Sequence, residues 1–266
     1  MNQFLFNQPY AVEKLKLVRL CLCLIIITLL ILGPYDSFYV DTASWLFKPH
    51  FPFFWFPNLG IHFWTLKYSV ILLGICNILN YQRWITEPLF AITFLLFNFY
   101  VSCFSTTYWI TNTHLNFFAI ALCFEPRKNC AERFAKASFI LAFMITYIAA
   151  LYFQAGLSKL IMGGWEWFFE GKRIWTETIL LGTPTGKWLT QWPWIFRMMS
   201  LGTAIFELVL PFFFFFNNTR KYVAIIAILF HLSTFAIMGI SFWFLWALYP
   251  ALFFYKSSYI PKPIAA

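Results

Sequence analysis

Charge is scarce in this sequence. Of 266 residues only 10 are Asp or Glu and 19 are Lys or Arg, so charged side chains make up 11% of the chain, against about 25% in soluble proteins. The basic residues come one to four at a time between long apolar runs and gather on no single face. That scatter excludes nucleic-acid binding as the meaning of the +9 net charge. The 6 cysteines, at 21, 23, 76, 103, 123 and 130, form no CxxC pair and show no zinc-ligand spacing. Neither HxxxH nor HExxH occurs, so no metal or bound cofactor is expected. Most of the cysteines fall inside apolar runs, where a free thiol behaves as a small apolar residue. Internal repeats, low-complexity linkers and a separate soluble domain are also absent from the sequence pattern.

What is abundant is apolar side chain. Hydrophobic residues reach 61% and aromatics 23%, more than a soluble chain of this length can bury while keeping its surface hydrated. The composition is that of an integral membrane protein. A helix needs about 17–25 apolar residues to cross roughly 30 Å of hydrocarbon. Eight stretches fit: about 17–33, 65–80, 89–104, 108–124, 137–158, 194–216, 222–239 and 241–256. Six or seven spans stay open, because several stretches are short and the last depends on a tight turn near Gly239. None shows the alternation of an outer-membrane barrel. The fold class expected is an all-α, polytopic transmembrane bundle of about eight spans, forming a single membrane domain over 1–266.

Orientation follows from the basic residues. With the N-terminus inside, the inner segments hold Lys14, Lys16, Arg19, Arg83, Arg127, Lys128, Arg133, Lys136, Arg220, Lys221, Lys256 and Lys262, 12 of the 19. The other seven are spread over two long outer connections, and the short outer turns near 105–107 and 239–241 carry none. An N-in, C-in topology results. Gly33-Pro34-Tyr35 is a poor cleavage site, so the first run is expected to stay in place. Asn217-Asn218-Thr219 matches a glycosylation sequon but falls on the inner side, and no glycan is expected there. The topology predicts that a membrane-impermeant thiol reagent misses Cys130 in intact cells and labels it once the inner face is opened. Labelling from outside would overturn the topology.

Both outer connections are loaded with aromatics. The first, about 34–64, holds Trp45, Phe47, Phe51, Phe53, Phe54, Trp55, Phe56 and Trp64; the second, about 160–193, holds Trp165, Trp167, Phe168, Phe169, Trp175, Trp188 and Trp192. Two readings stand: an aromatic belt at the headgroup level, or a lid over a pocket opening in the outer leaflet. Gly163-Gly164 and Gly171 should break the second connection into short interfacial helices.

Ionisable groups within spans are expensive and point to function. Four stand out: His114, Lys159, Glu207 and His231. At about 1.5 Å per residue, Glu207 and His231 fall at similar depth on consecutive helices, and a hydrogen bond between them is expected. Lys159 ends the string Tyr152-Phe153-Gln154-Ala155-Gly156-Leu157-Ser158-Lys159. Tyr152, Gly156 and Lys159 share one helix face, with Gly156 as a notch under the lysine. A snorkelling lysine is one reading; a desolvated amine acting as a general base toward a pocket is the other.

The string Tyr152 to Lys159 with Leu160, then Gly164-Trp165 and Gly171, resembles the signature of the HTTM (horizontally transferred transmembrane) domain family, the membrane part of vitamin K-dependent γ-carboxylase. Asn112-Thr113-His114 with Glu125-Pro126, Phe206-Glu207-Leu208 with Thr219-Arg220, and Phe230-His231 with Met238-Gly239-Ile240 match in the same order, so the resemblance spans about 60 to 255. It implies that Lys159 deprotonates a vitamin K hydroquinone-like quinol, with oxygen as co-substrate and a quinone epoxide as product. It implies that His114 serves a later carboxylation step, and that His231 belongs to the membrane core. Tyr152, Gly156, Trp165 and Glu207 would support the pocket. One departure is Thr113, where the carboxylase has Asn. Some standalone members of the family resemble peptide-toxin maturation factors, so a non-enzymatic membrane factor for peptide maturation, export or immunity is the alternative, with a peptide or protein partner. The expected location is a bacterial inner membrane.

Overall fold

The computed structural model describes residues 10–33, 60–103, 106–126, 132–240 and 243–255. Trp45, Phe47, Phe51, Phe53, Phe54, Trp55 and Phe56 of the first aromatic connection lie outside these residues, as do Arg127, Lys128 and Cys130. Every regular element among the described residues is helical, and they divide into two compact units, Tyr10–Ile140 and Leu141–Tyr255.

The first unit holds α1 (Ala11–Leu32), α2 (Gly60–Ile78), α3 (Arg83–Ser102), α4 (Thr106–Leu122) and the start of α5 (Arg133–Glu170). Helix α1 packs on α2 and α4, α2 on α3, and α3 on α4. The core comes from helically spaced apolar side chains, among them the buried Leu15, Leu22 and Ile26 of α1 and Phe90, Phe94 and Phe97 of α3. At one end of this unit two of the basic residues, Arg19 and Arg83, form a largely buried ion-pair cluster. Arg19 donates Nη1 to Glu87 at 3.2 Å and to Glu125 at 2.8 Å, and Nη2 to Asn80 at 2.6 Å. Arg83 donates to the same two carboxylates, at 2.9 Å to Glu87 and 2.6 Å to Glu125. Two positive and two negative groups thus tie α1 and α3 to the chain just beyond α4.

The second unit takes the rest of α5, then α6 (Lys172–Leu181), α7 (Pro184–Leu189), α8 (Pro193–Leu208), a 3₁₀ turn (Leu210–Phe215), α9 (Arg220–Met238), α10 (Trp243–Trp246) and a π-helical turn (Pro250–Phe254). Its boundaries follow from the sequence's helix breakers. Helix α5 runs past Lys159 and breaks at Gly164, where φ is 63° and ψ is −172°. Gly171 (φ 67°) precedes α6 and Gly239 (φ 72°) ends α9. Pro184 and Pro193 open α7 and α8, where the missing N–H costs no helical bond. Pro211 has no N–H to give the Glu207 carbonyl, and α8 passes there into the 3₁₀ turn.

Five helices among the described residues are long and apolar enough to cross a membrane: Ala11–Leu32, Arg83–Ser102, Arg133–Glu170, Pro193–Phe215 and Arg220–Met238. That inventory fits a multi-pass membrane protein. Helices α2 and α4 stand at two further expected spans without being among the five. Helix α4 has 17 residues and α2 has 19. The eighth expected stretch is not one continuous α-helix. It consists of α10 and the π-helical turn, with Pro250 unable to donate to the preceding turn.

Candidate functional site

The polar residues singled out in the second half of the sequence converge within the Leu141–Tyr255 unit. They do so because α8 crosses α5 at Gly156. A Cβ there would lie 2.8 Å from Leu208 Cδ2 and 2.9 Å from Glu207 Cβ, so only glycine admits so close an approach. The notch read from the sequence as an open gap is therefore filled by α8. Its filling brings Glu207 under Lys159, three residues along α5. Lys159 Nζ donates to both carboxylate oxygens, each at 2.6 Å. The pair is lopsided in exposure, with 7% of the Glu207 side chain accessible and 29% of the Lys159 side chain. The indole of Trp167 lies beside the ammonium, its ring centre 5.5 Å from Nζ.

Two turns back on the same face of α5, Tyr152 makes a second polar contact. Its hydroxyl is 2.7 Å from His231 Nε2 and 2.6 Å from the hydroxyl of Tyr249. All three side chains are buried. Phe206, next to Glu207 in the chain, is edge-on to Tyr152 at 4.8 Å and stacked on Phe230 at 4.2 Å.

The expected Glu207–His231 hydrogen bond is not made; each residue instead bonds a different side chain of α5. Lys159 and Tyr152 are seven residues apart, roughly 10 Å along a helix axis. Similar depth on consecutive helices does not decide which side chains meet, and here α5 is the partner of both α8 and α9. Of the other site residues named from sequence, Trp165 is 63% exposed and its ring lies near Phe169, at 6.2 Å, rather than at the lysine. His114 is half-buried on α4, in the Tyr10–Ile140 unit.

Trp167 and Tyr249 went unread as site residues. Trp167 stood in the sequence only as one of many aromatics of the second connection, and Tyr249 as one of 13 tyrosines in an apolar run. The one available signal was the Gly163-Gly164 pair, which permits the chain to turn back at the end of α5.

Chemically, an ammonium and a carboxylate in hydrogen-bond contact and shielded from water can share one proton, as the ion pair or as a neutral amine with a neutral acid. A group that donates a proton to such a couple leaves an anion beside a cation already in place. Among the described residues no cluster of three His, Cys, Asp or Glu could hold a metal ion. Comparisons with protein-family models, with curated proteins and with solved structures return no match for this chain.

Proposed function

We propose that this chain is a multi-pass membrane protein of HTTM type that binds a lipid-soluble hydroquinone at the Lys159–Glu207 pair and removes its phenolic proton. The observation that carries the reading is the pair itself: a carboxylate almost wholly buried, holding a lysine that keeps an open edge. A pair serving stability alone could be replaced by packed apolar side chains at little cost, and charged groups in membrane helices are by default functional. One proton passes from Lys159 to Glu207, leaving an amine and a carboxylic acid. The amine takes the phenolic proton, and the phenolate rests against the restored ammonium. The family resemblance supplies the later steps, addition of oxygen to the quinolate and release of an epoxide, and gives His114 its part in a subsequent carboxylation. The site would open toward the outer leaflet of a bacterial inner membrane, with both termini inside and eight crossings as the basic residues suggest.

A second reading is favoured by one specific observation. Both oxygens of Glu207 are taken by Lys159 and α8 fills the Gly156 notch, as a clamp between helices would require. The chain would then be a non-enzymatic membrane factor for peptide maturation, export or immunity.

Lys159→Arg separates the two. Arginine can keep a two-pronged bond to Glu207 but does not give up its proton in proteins. The variant should insert and melt like the wild type, yet form no quinone epoxide from a reduced naphthoquinone and oxygen. If purified wild-type protein forms no more epoxide than Lys159→Arg, the clamp reading replaces the enzymatic one.

A further inference from the structure

We infer that Trp167 is the specificity-determining wall of this site, selecting a flat aromatic hydroxyl compound over an aliphatic one; the inference rests on the Lys159–Glu207 pair being where the ligand binds.

A continuous helix would carry Trp167 eight residues beyond Lys159, roughly 12 Å farther along the axis. Two glycines prevent that. Gly164 adopts φ 63° and ψ −172°, a region that side chains with a Cβ essentially do not enter, and it turns the chain at the end of α5. Gly163 then supplies the room, since a Cβ on it would lie 2.7 Å from Trp167 Cδ1 and 2.9 Å from Trp167 Cβ. The indole comes to rest 5.5 Å from Lys159 Nζ.

It is also held there. Ser200, fully buried on α8, donates its hydroxyl to the Trp167 carbonyl at 2.6 Å. The next residue, Phe168, is 1% exposed and meets the indole edge-on at 5.2 Å. Trp167 itself is only half-buried. An aromatic surface locked by its neighbours before a ligand arrives loses little further freedom on binding.

The chemistry of the three groups defines what fits. The lysine's charge is already balanced by Glu207, so an incoming anion would meet a carboxylate at hydrogen-bond distance from its target. A neutral hydroxyl can donate to that carboxylate instead. A flat ring carrying the hydroxyl gains ring–ring attraction to the indole beyond the area it buries, which a saturated ring or acyl chain does not.

The test is equilibrium binding to the full-length protein in lipid nanodiscs, with 1,4-naphthoquinol kept reduced and a fully saturated decalin diol as probes. Wild type should prefer the naphthoquinol. Trp167→Leu should weaken its binding about tenfold and abolish the preference, while Trp167→Phe should stay within about threefold because it keeps a ring. An unchanged preference in Trp167→Leu overturns the role of Trp167 and leaves the binding site standing. Absence of saturable naphthoquinol binding by wild type overturns both. A measurement independent of how well the leucine variant folds is indole fluorescence. Bound naphthoquinol should quench wild type more than Trp167→Phe, by about one of the 13 tryptophans, and equal quenching in the two also overturns the assignment.

Discussion

Arg19→Met is expected to destabilise the Tyr10–Ile140 unit by about 3–5 kcal/mol, the cost of leaving buried charges without their partner. The Arg19 side chain is 7% exposed and donates to Glu87, Glu125 and Asn80. Without it, two carboxylates with 9% and 2% of their side chains exposed face a single guanidinium, that of Arg83. Glu125 Oε1 has no hydrogen-bond partner even with Arg19 present, so the lost donors have no ready replacement. Methionine preserves much of the side chain's length and apolar stem, so the loss measures charge and not volume. Arg19→Lys should lie between, since an ammonium keeps the charge but cannot present a planar fork to three acceptors. Adding Glu125→Gln to Arg19→Met should recover part of the stability, because it removes one stranded charge. Thermal unfolding of the purified protein in detergent reads all three variants against the wild type. A loss below about 1 kcal/mol, the value of a solvated surface pair, would mean that water or headgroups reach the cluster.

The same residues show what a sequence can and cannot disclose here. Arg19 and Arg83 are legible as basic residues at the ends of apolar stretches, because residue type and position alone show that. Their carboxylate partners were not, because Glu87 and Glu125 are 38 residues apart and meet only through the packing of α3 against α4. Most helix positions were legible for a simpler reason: apolar length fixes where a helix sits, and Gly164, Gly171 and Gly239 fix where it stops. The break within the eighth stretch is less legible, because its apolar run continues through α10 and the π-helical turn that begins at Pro250.

At the candidate site the sequence brings out which residues are polar within apolar stretches, but not which of them touch. Glu207 and His231 were paired by depth, but depth leaves open which neighbouring helix lies alongside. That is decided by the close approach of α8 to α5 at Gly156. The family pattern includes Trp165, whereas it is the Trp167 indole that lies beside the lysine, after the backbone dihedrals of Gly164 turn the chain. Dihedrals of that kind have no periodic signature in a sequence.

Gly186→Ala is expected to destabilise the Leu141–Tyr255 unit by about 2–4 kcal/mol, combining overpacking with lost hydrogen bonds. In the string Gly182-Thr183-Pro184-Thr185-Gly186 the chain presses against the last turn of α9. The Thr183 N–H donates to the Ile237 carbonyl at 3.0 Å, and its hydroxyl donates to the Ala236 carbonyl at 2.6 Å. These bonds satisfy carbonyls that the end of a helix otherwise leaves without partners. The same contact brings Gly186 so near that a Cβ would lie 2.0 Å from the Ile237 oxygen and 2.9 Å from its carbon. Those atoms are backbone, so no rotamer change relieves the clash. Helix α7 must lift away, and both Thr183 bonds are lost with it. Gly202→Ala is the matched control, because a Cβ there meets nothing within 4 Å and alanine is the better helix former by about 0.5–1 kcal/mol. Gly202→Ala should therefore melt at or slightly above the wild type and Gly186→Ala well below it. Amide hydrogen exchange should rise over residues 183–190 and over the last turn of α9 in Gly186→Ala alone. Equal melting temperatures for the two alanine variants would show that α7 is not docked on α9 through this glycine.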